Sequence, residues 1–166
     1  MAYHFDILEQ QERLLRFPKF DHGVAWELGC FMVERAKALG ITIAVSIRMA
    51  NGSIVFQYLP EGTNALNEKW MRRKFNTVTL MEQSSLRATF TIEAKGESLQ
   101  THTLRDEDYA LCGGGFPVRV RGSEAIAGVI LASNLFHITD HEFITDCLRG
   151  YLSCPDAPSY PYTIPE

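Results

Sequence analysis

Three consecutive glycines, Gly113–Gly115, lead directly into Phe116-Pro117 and a strand-like segment. Glycine is favoured where the backbone needs a positive φ or where another part of the chain comes close. Pro117 fixes φ at the start of the strand and removes one backbone donor. Because a strand follows these glycines, they fit neither a dinucleotide-binding fingerprint nor a phosphate-binding loop, which both open a helix. This glycine loop, residues 112–115, therefore predicts a close backbone approach that feeds a β-hairpin over 116–131.

The rest of the chain alternates between helical and strand periodicity, in the order α-α-β-β-α-α-β-β-α. Asp21 is a typical N-cap and Gly40 a typical C-terminal glycine for the second helix. Asn51-Gly52 is a strong hairpin signal between two strand-like runs. The predicted helices span 6–16, 22–39, 67–81, 84–93 (capped by Ser84 or Ser85) and 139–152 (opened by Thr139 or Asp140), the predicted strands span 41–47, 53–59 and the hairpin 116–131, and 95–108 is a polar loop with a short turn.

Both strand pairs read as hairpins, which favours an antiparallel sheet. Helices packed on the faces of such a sheet give a layered α/β fold. The size of the chain is that of one domain, which we place at 1–154. Residues 155–166 contain four prolines and are predicted to form an extended C-terminal tail.

Composition argues against several function classes. The net charge of −4 gives no global attraction to nucleic acid or to an anionic membrane. No apolar run approaches the roughly 20 residues that span a bilayer, and the first residues do not resemble a secretory signal. The four cysteines form no C-x-x-C pair and fit no common zinc spacing, so we expect free thiols in a cytoplasmic protein.

Two blocks of the sequence resemble the UPF0303 family. The segment from Trp70 to Val78 is similar to its W-x-x-R-K-x-N-x-V signature, and Gly113 to Val120 with Gly128-Val129 is similar to its G-G-x-F-P-I-R-V…G-V block. Asp140-His141 matches a D-H pair at the start of the last helix. The family lies within the haem-degrading-domain group (DUF336, GlcG/HbpS-like). The resemblance implies a profilin-like α/β fold with a central antiparallel sheet between helices, and a homo-oligomer, either a dimer or an assembly of dimers. Some members of the wider group bind haem.

The chain departs from this pattern at two positions. Asn134 stands where the family often has glycine after the G-V strand, and asparagine tolerates a left-handed backbone better than most residues. Cys112 stands where a histidine often precedes the paired glycines, so no role of that histidine carries over. An inert small side chain is the simpler interpretation of Cys112.

The candidate site residues come from these two blocks and are interpreted as ligand-binding or interface residues. On a helix Arg72, Arg73 and Lys74 point in three directions, so one or two of them can face a ligand or a partner. His137 is expected in a loop, which makes His137 and His141 a poor metal pair, and no metal site is predicted. Asp140 is interpreted as a helix cap, and Arg119 with Arg121 as a polar strand face. The candidates are Trp70, Arg73, Lys74, Asn76, Gly113, Gly114, Phe116, Pro117, Arg119, Asp140 and His141.

The residues contain no G-x-S-x-G or H-E-x-x-H motif and no paired carboxylates, so enzymatic activity stays an open question. Two hypotheses remain. In the first, the protein binds a small ligand of haem or tetrapyrrole type beside the glycine loop, near Phe116, Arg119, Lys74 and Asn76. In the second, it is a non-catalytic homo-oligomeric scaffold, and the same residues build subunit contacts. The residues alone favour the scaffold, whereas the resemblance favours ligand binding.

Overall fold

A computed structural model describes residues 2–162 and shows a four-stranded antiparallel sheet. The strands are β1 (Ala44–Met49), β2 (Ile54–Tyr58), β3 (Gly115–Arg119) and β4 (Ile126–Ser133), in the order β2-β1-β4-β3. Each predicted hairpin is present, and the pairing of β1 with β4 joins the two hairpins at the centre of the sheet. The outer strands are therefore β2 and β3.

Five α-helices surround this sheet within the part of the chain that the structure describes. They are α1 (Phe5–Leu14), α2 (His22–Leu39), α3 (Ala65–Met81), α4 (Ser85–Ala94) and α5 (His137–Tyr151), with a short 3₁₀ turn at Gln100–His102. The predicted caps of α2 and α4 are confirmed, because Asp21 accepts from the backbone N–H of Val24 and Ser84 from that of Arg87. None of these five helices contains an apolar stretch of the length that a membrane-spanning segment needs.

The helices cover both faces of the sheet, which confirms the predicted α/β architecture. On one face α2 and α5 bury Leu28, Met32 and Ile144 against side chains of the strands. On the other face α3 buries Met71 and Val78 against β1 and β4. Strand residues alternate between these two cores, as the two-residue period of a strand requires.

The helix α5 begins at His137, so the expected start at Thr139 or Asp140, and the expected loop position of His137, are wrong. Asp140 is not an N-cap. Its carboxylate lies within the first turn and accepts from the backbone N–H of Leu135, ahead of the helix, at 2.9 Å. The sequence therefore placed Asp140 correctly in the first turn of α5 but wrongly at the residue that begins the helix.

The expected polar strand face at Arg119 and Arg121 is also wrong. All five residues of β3 are buried, and Arg121 lies beyond the strand in an exposed turn. Arg119 is buried because it pairs with Glu12 of α1 at 3.3 Å and donates to the carbonyl of Glu82 at 2.6 Å. The alternation of the sequence identified the face, but α1 covers that face.

The chain after Leu152 packs on the domain as far as it is described. Ala157 and Tyr160 are buried, and the carbonyl of Pro158 accepts from Gln11 and Arg149. The boundary at 154 stays a prediction, and residues 163–166 of the predicted tail lie outside the described residues.

Candidate functional site: a cleft between α3 and the start of α5

An open cleft of about 430 Å³ lies between α3, the end of β4 and the start of α5. This volume is within the range of small-molecule sites. Its lining is mixed, with amide, aromatic, thiol, imidazole and ionised side chains. The lining residues are Gly62, Asn64, Leu66, Asn67, Trp70, Lys74, Cys112, Ser133, Asn134, Leu135, His137 and Asp140.

The glycine loop packs under this cleft, and the predicted close approach is confirmed. Gly114 has φ +116°, and a Cβ there would lie 2.5 Å from both the carbonyl oxygen of Ala132 and Nζ of Lys74. A Cβ on Gly113 would overlap the carbonyl oxygen of His137. The atoms that come close to these glycines therefore belong to other parts of the same chain. The missing side chains leave room for Lys74, which forms part of the floor of the cleft.

That floor is a buried ion pair. Nζ of Lys74 donates to Oδ2 of Asp140 at 3.1 Å and to the carbonyl oxygen of Ala132 at 2.8 Å. Both side chains are only 3% exposed. Burial raises the pKa of the Asp140 carboxyl to about 6, although Lys74 and the N–H of Leu135 oppose that shift. Each of these two buried charges is stabilised by the other, so removing one partner would leave the other as an uncompensated buried charge.

His137 stands at the side of the cleft with one ring nitrogen already in use. The backbone N–H of Gly113 donates to its Nδ1 at 3.0 Å. Burial, with the nearby charge of Lys74, lowers the pKa of this imidazole. The ring is half-buried and lies edge-on to Phe136, with centroids 4.7 Å apart. The side chain is thus held neutral in one orientation.

Trp70, Leu66 and Leu135 supply the apolar part of the lining. The indole of Trp70 lines the cleft, and the guanidinium of Arg73 lies 4.4 Å from its ring centroid. Arg73 also donates to the carbonyl of Tyr109, which holds it away from the floor. Leu66 is 60% exposed at the cleft and Phe136, next to His137, is 54% exposed.

The basic cluster points in three directions, as predicted. Arg72 donates to the carbonyl of Glu107 at the surface, Arg73 lies on Trp70, and Lys74 is buried under the cleft. Asn76 donates to the carbonyl of Asp108, beside Arg72. Only Lys74 of this group therefore reaches the floor.

Of the candidate residues, the cleft brings together Trp70, Lys74 and Asp140, with Gly113 and Gly114 packed beneath them. The others lie elsewhere. Phe116 and His141 are fully buried in the interior, and Pro117 is buried within β3. These three side chains and that of Arg119 do not line the cleft.

Sequence reasoning missed His137, Asn64 and Asn67 as cleft residues. Asn64 caps α3, and Asn67 completes a capping box with it. Asn67, Trp70 and Lys74 are spaced by three and four residues, which places them on one face of a helix. That spacing is the signal that could have found the α3 side of the site. Asn134 has φ +152° and donates to the carbonyl of Thr42, so it supports the turn where the family often has glycine.

Cys112 lines the cleft as a thiol. Burial raises its pKa, and the charge of Lys74 opposes that shift only in part. Among residues 2–162, no three His, Cys, Asp or Glu side chains lie close enough together to hold a metal ion. The cleft can therefore donate and accept hydrogen bonds and stack on an aromatic ring.

A family model described as "Haem degrading protein HbpS-like" matches residues 20–149. A UPF0303 protein of Yersinia enterocolitica is 34% identical over 148 residues, covering 89% of this chain and 87% of the relative. A UPF0303 protein of Mesorhizobium japonicum is 36% identical over 147 residues, covering 88% of this chain and 87% of the relative. These matches include both sequence blocks described above.

Solved structures share the fold at low sequence identity. The crystal structure of the Ybr137w protein superposes with a TM-score of 0.83 at 20% identity, covering 90% of this chain and 88% of that one. The crystal structure of HbpS gives 0.64 at 16% identity, covering 80% and 89%. A crystal structure of a PduOC:heme complex gives 0.62 at 18% identity, covering 78% and 92%.

Proposed function

The chain belongs to the HbpS-like haem degrading family and to the UPF0303 proteins, and from this premise we propose that it binds a planar small molecule of tetrapyrrole type in the cleft between α3 and α5. The observation that carries the proposal is the joint presence, in one cleft of about 430 Å³, of Trp70, a neutral imidazole and a buried Lys–Asp pair. One fold relative was crystallised as a heme complex, which agrees with this ligand class.

The apolar rim of the cleft supports a flat, largely carbon ligand. Leu66, which is 60% exposed, and the half-buried Trp70 present apolar surface beside the polar groups of the cleft. Aromatic side chains favour offset or edge-on contact with other rings. A macrocycle lying against Trp70 would cover this surface while its polar substituents reach the floor.

The organic part of haem fits these residues better than its iron does. When bound, haem iron takes an axial ligand such as a neutral imidazole nitrogen or a thiolate. Nδ1 of His137 accepts from Gly113, and burial keeps the Cys112 thiol protonated. The side chains of the cleft thus recognise the macrocycle and its substituents, and we assign no step to the iron.

A titration of the whole protein with haemin and with metal-free protoporphyrin IX tests the proposal by absorbance. We expect saturable binding at micromolar ligand, near one ligand per chain. Trp70→Ala should weaken binding about tenfold, equivalent to about 1.4 kcal/mol, because the main aromatic contact is lost. Phe31→Ala is the matched control, since Phe31 lies on α2, is 37% exposed and does not line the cleft. Absence of saturable binding, or equal effects of the two substitutions, would overturn the proposal.

We also propose that the chain self-associates, as the second hypothesis expects, but through the outer edge of β2 and not through the residues of the two sequence blocks. Ile54 and Tyr58 are 48% and 43% exposed on this outer strand. Trp26 packs on Phe56 beside them, with ring centroids 5.6 Å apart. An exposed apolar strand edge offers unpaired backbone groups as well as apolar area.

Light scattering during size-exclusion chromatography tests this surface. We expect Tyr58→Glu to lower the mass of the particle to that of fewer subunits. Leu80→Glu is the control, because Leu80 is 52% exposed on α3, away from β2. A wild-type protein that elutes as a monomer at all concentrations would overturn self-association.

We further infer that the protein works in the cytoplasm. All four cysteines are present as free thiols, and reduced thiols are typical of a reducing compartment. Cell fractionation that recovers the protein outside the cytoplasm would contradict this.

A further inference from the structure

We propose that His137 binds the ligand of the cleft as a hydrogen-bond donor through Nε2–H. The ligand then presents a carboxylate or carbonyl oxygen to this N–H. Where the ligand contains iron, the His137 imidazole does not coordinate it. The inference rests on the proposed function for the identity of the ligand class. It goes further by assigning the atom, the direction of the hydrogen bond and the chemistry of the matching ligand group.

The assignment begins with the backbone of the glycine loop. A backbone N–H can only donate, and that of Gly113 points at Nδ1 of His137 at 3.0 Å. Nδ1 must therefore keep its lone pair. A neutral imidazole has one N–H, so the proton is on Nε2.

The ring is held in this state by its surroundings. His137 opens α5, and its ring packs edge-on against Phe136 and, at 6.5 Å between centroids, against Phe90. Gly113 is packed tightly against the backbone of His137, because a Cβ on Gly113 would overlap the carbonyl oxygen of that residue. Burial and Lys74 lower the pKa of the ring, which disfavours the doubly protonated form that would lose the bond from Gly113.

Coordination of iron through Nε2 would need the proton on Nδ1. The N–H of Gly113 and an Nδ1–H would then face each other across 3.0 Å, and a buried donor would lose its acceptor. A ligand oxygen at Nε2–H requires no such change. The structure therefore favours an acceptor group of the ligand at this position.

The hydrogen-bond donors around the ring favour a carboxylate, with its two acceptor oxygens, over a neutral carbonyl. Lys74 has three protons and two acceptors here, the carboxylate of Asp140 and the carbonyl of Ala132. Among residues 2–162, Asp140 is the one carboxylate that lines the cleft, and it is engaged by Lys74 and by the N–H of Leu135. A propionate-like carboxylate on the edge of a planar ligand matches this donor set.

Two variants separate the roles that His137 can have. His137→Gln keeps an N–H near the position of Nε2 but removes the imidazole that iron would prefer. His137→Leu removes both. The ligands are haemin, protoporphyrin IX and protoporphyrin IX dimethyl ester, whose carboxylates are masked. Circular dichroism checks that each variant is folded.

For the wild type we expect haemin and protoporphyrin IX to bind with Kd values within about threefold of each other, and the dimethyl ester about tenfold more weakly. His137→Leu should weaken both acids about tenfold, and His137→Gln should restore most of that loss. If haemin binds at least tenfold more tightly than protoporphyrin IX and His137→Leu abolishes the difference, His137 is an iron ligand and the inference is overturned.

The tautomer is measured without any ligand. Long-range ¹H–¹⁵N correlation spectra of the imidazoles, with His137→Gln for assignment, should show the Nε2–H form near pH 7. An Nδ1–H form would overturn the inference even if porphyrins bind. No binding of either porphyrin to the wild type would overturn the proposed function as well, so the two failures are distinguishable.

Discussion

His137 and His141 lie one turn apart on α5, but His137 lines the cleft and His141 is buried in the interior. His137 faces the cleft, accepts from Gly113 through Nδ1 and is half-buried. His141 is fully buried and bonds Oε1 of Gln11 through Nε2 at 2.8 Å. Since the amide nitrogen of Gln11 donates to the carbonyl of Pro158, its oxygen is the acceptor and His141 is the donor. Nδ1 of His141 has no partner within residues 2–162.

Two histidines one turn apart on the same helix therefore have different roles, because their surroundings in the folded chain differ. Both residues lie against the glycine loop, because the ring of His137 accepts from Gly113 and a Cβ on Gly113 would lie 3.2 Å from Cβ of His141. The cleft lies on one side of that loop, whereas α1 and the segment around Pro158 cover the other. One histidine is left able to meet a ligand, and the other joins α5 to α1.

Removing Lys74 should lower the free energy of unfolding most among these variants. It should disturb the cleft around His137 and leave the buried contact of His141 intact. Lys74→Met leaves Asp140 buried without its cation, and we expect about 3 kcal/mol lower free energy of unfolding. Chemical denaturation at pH 7 measures it. Arg16→Met is the control, because Arg16 pairs with Glu124, which is 83% exposed, and should cost less than about 1 kcal/mol. Equal losses would show that burial of the Lys74 pair carries no special cost.

Gly114→Ala tests the loop that separates the two histidines. The new Cβ would meet the carbonyl oxygen of Ala132 at 2.5 Å in a backbone with φ +116°, so we expect a loss of about 2–3 kcal/mol. Gly122→Ala is matched for a positive φ, +85°, but nothing lies within 4 Å of its Cβ. It should cost about 1 kcal/mol. Similar melting temperatures for both variants would contradict the close approach at Gly114.

The buried His141 should make the free energy of unfolding depend on pH. Burial, with the charge of Arg149, lowers the pKa of His141 to about 3. The unfolded chain therefore binds a proton that the folded chain does not, between about pH 6.5 and 3. This contribution destabilises the protein as the pH falls through that window, by at most about 1.4 kcal/mol per pH unit.

Asp140 acts in the opposite direction. Its pKa is raised from 3.8 to about 6, so between these values the folded chain binds the extra proton. This stabilising contribution is lost as the pH rises through about 6.

Because the pKa of His141 is lowered, His141→Gln should become more stable relative to the wild type by about 2 kcal/mol as the pH falls from 7 to 4.5. Asp140→Asn should show the reverse trend. Urea denaturation at the two pH values measures both, and parallel curves for His141→Gln and wild type would refute the assignment.

His137→Gln should have the smallest effect on stability. The side chain is half-buried, and glutamine can still accept from Gly113 through its amide oxygen, so we expect a loss of less than about 1 kcal/mol at pH 7. Hydrogen exchange at the amide of Gly113 gives the local test. A large global loss would mean that His137 supports the fold and not mainly the cleft.

Much of the fold followed from local signals. The hairpin at Asn51-Gly52, the caps at Asp21 and Ser84 and the hairpin after the glycine loop are all present. The start of α5 was missed because Phe136 precedes it without a capping side chain, while Asp140 folds back from inside the helix. Arg119 was missed because only the packing of α1 shows that it is covered.

Sequence patterns alone predict the antiparallel α/β architecture, the family resemblance and the close backbone approach at Gly113 and Gly114. These depend on backbone geometry and on contacts close in the chain, which local patterns record. The tertiary structure alone decided that Lys74 meets Asp140, that Gly113 fixes the tautomer of His137 and that His141 is buried against Gln11. Those pairs are separated by 66, 24 and 130 residues, and no local pattern specifies which distant side chains share one desolvated space.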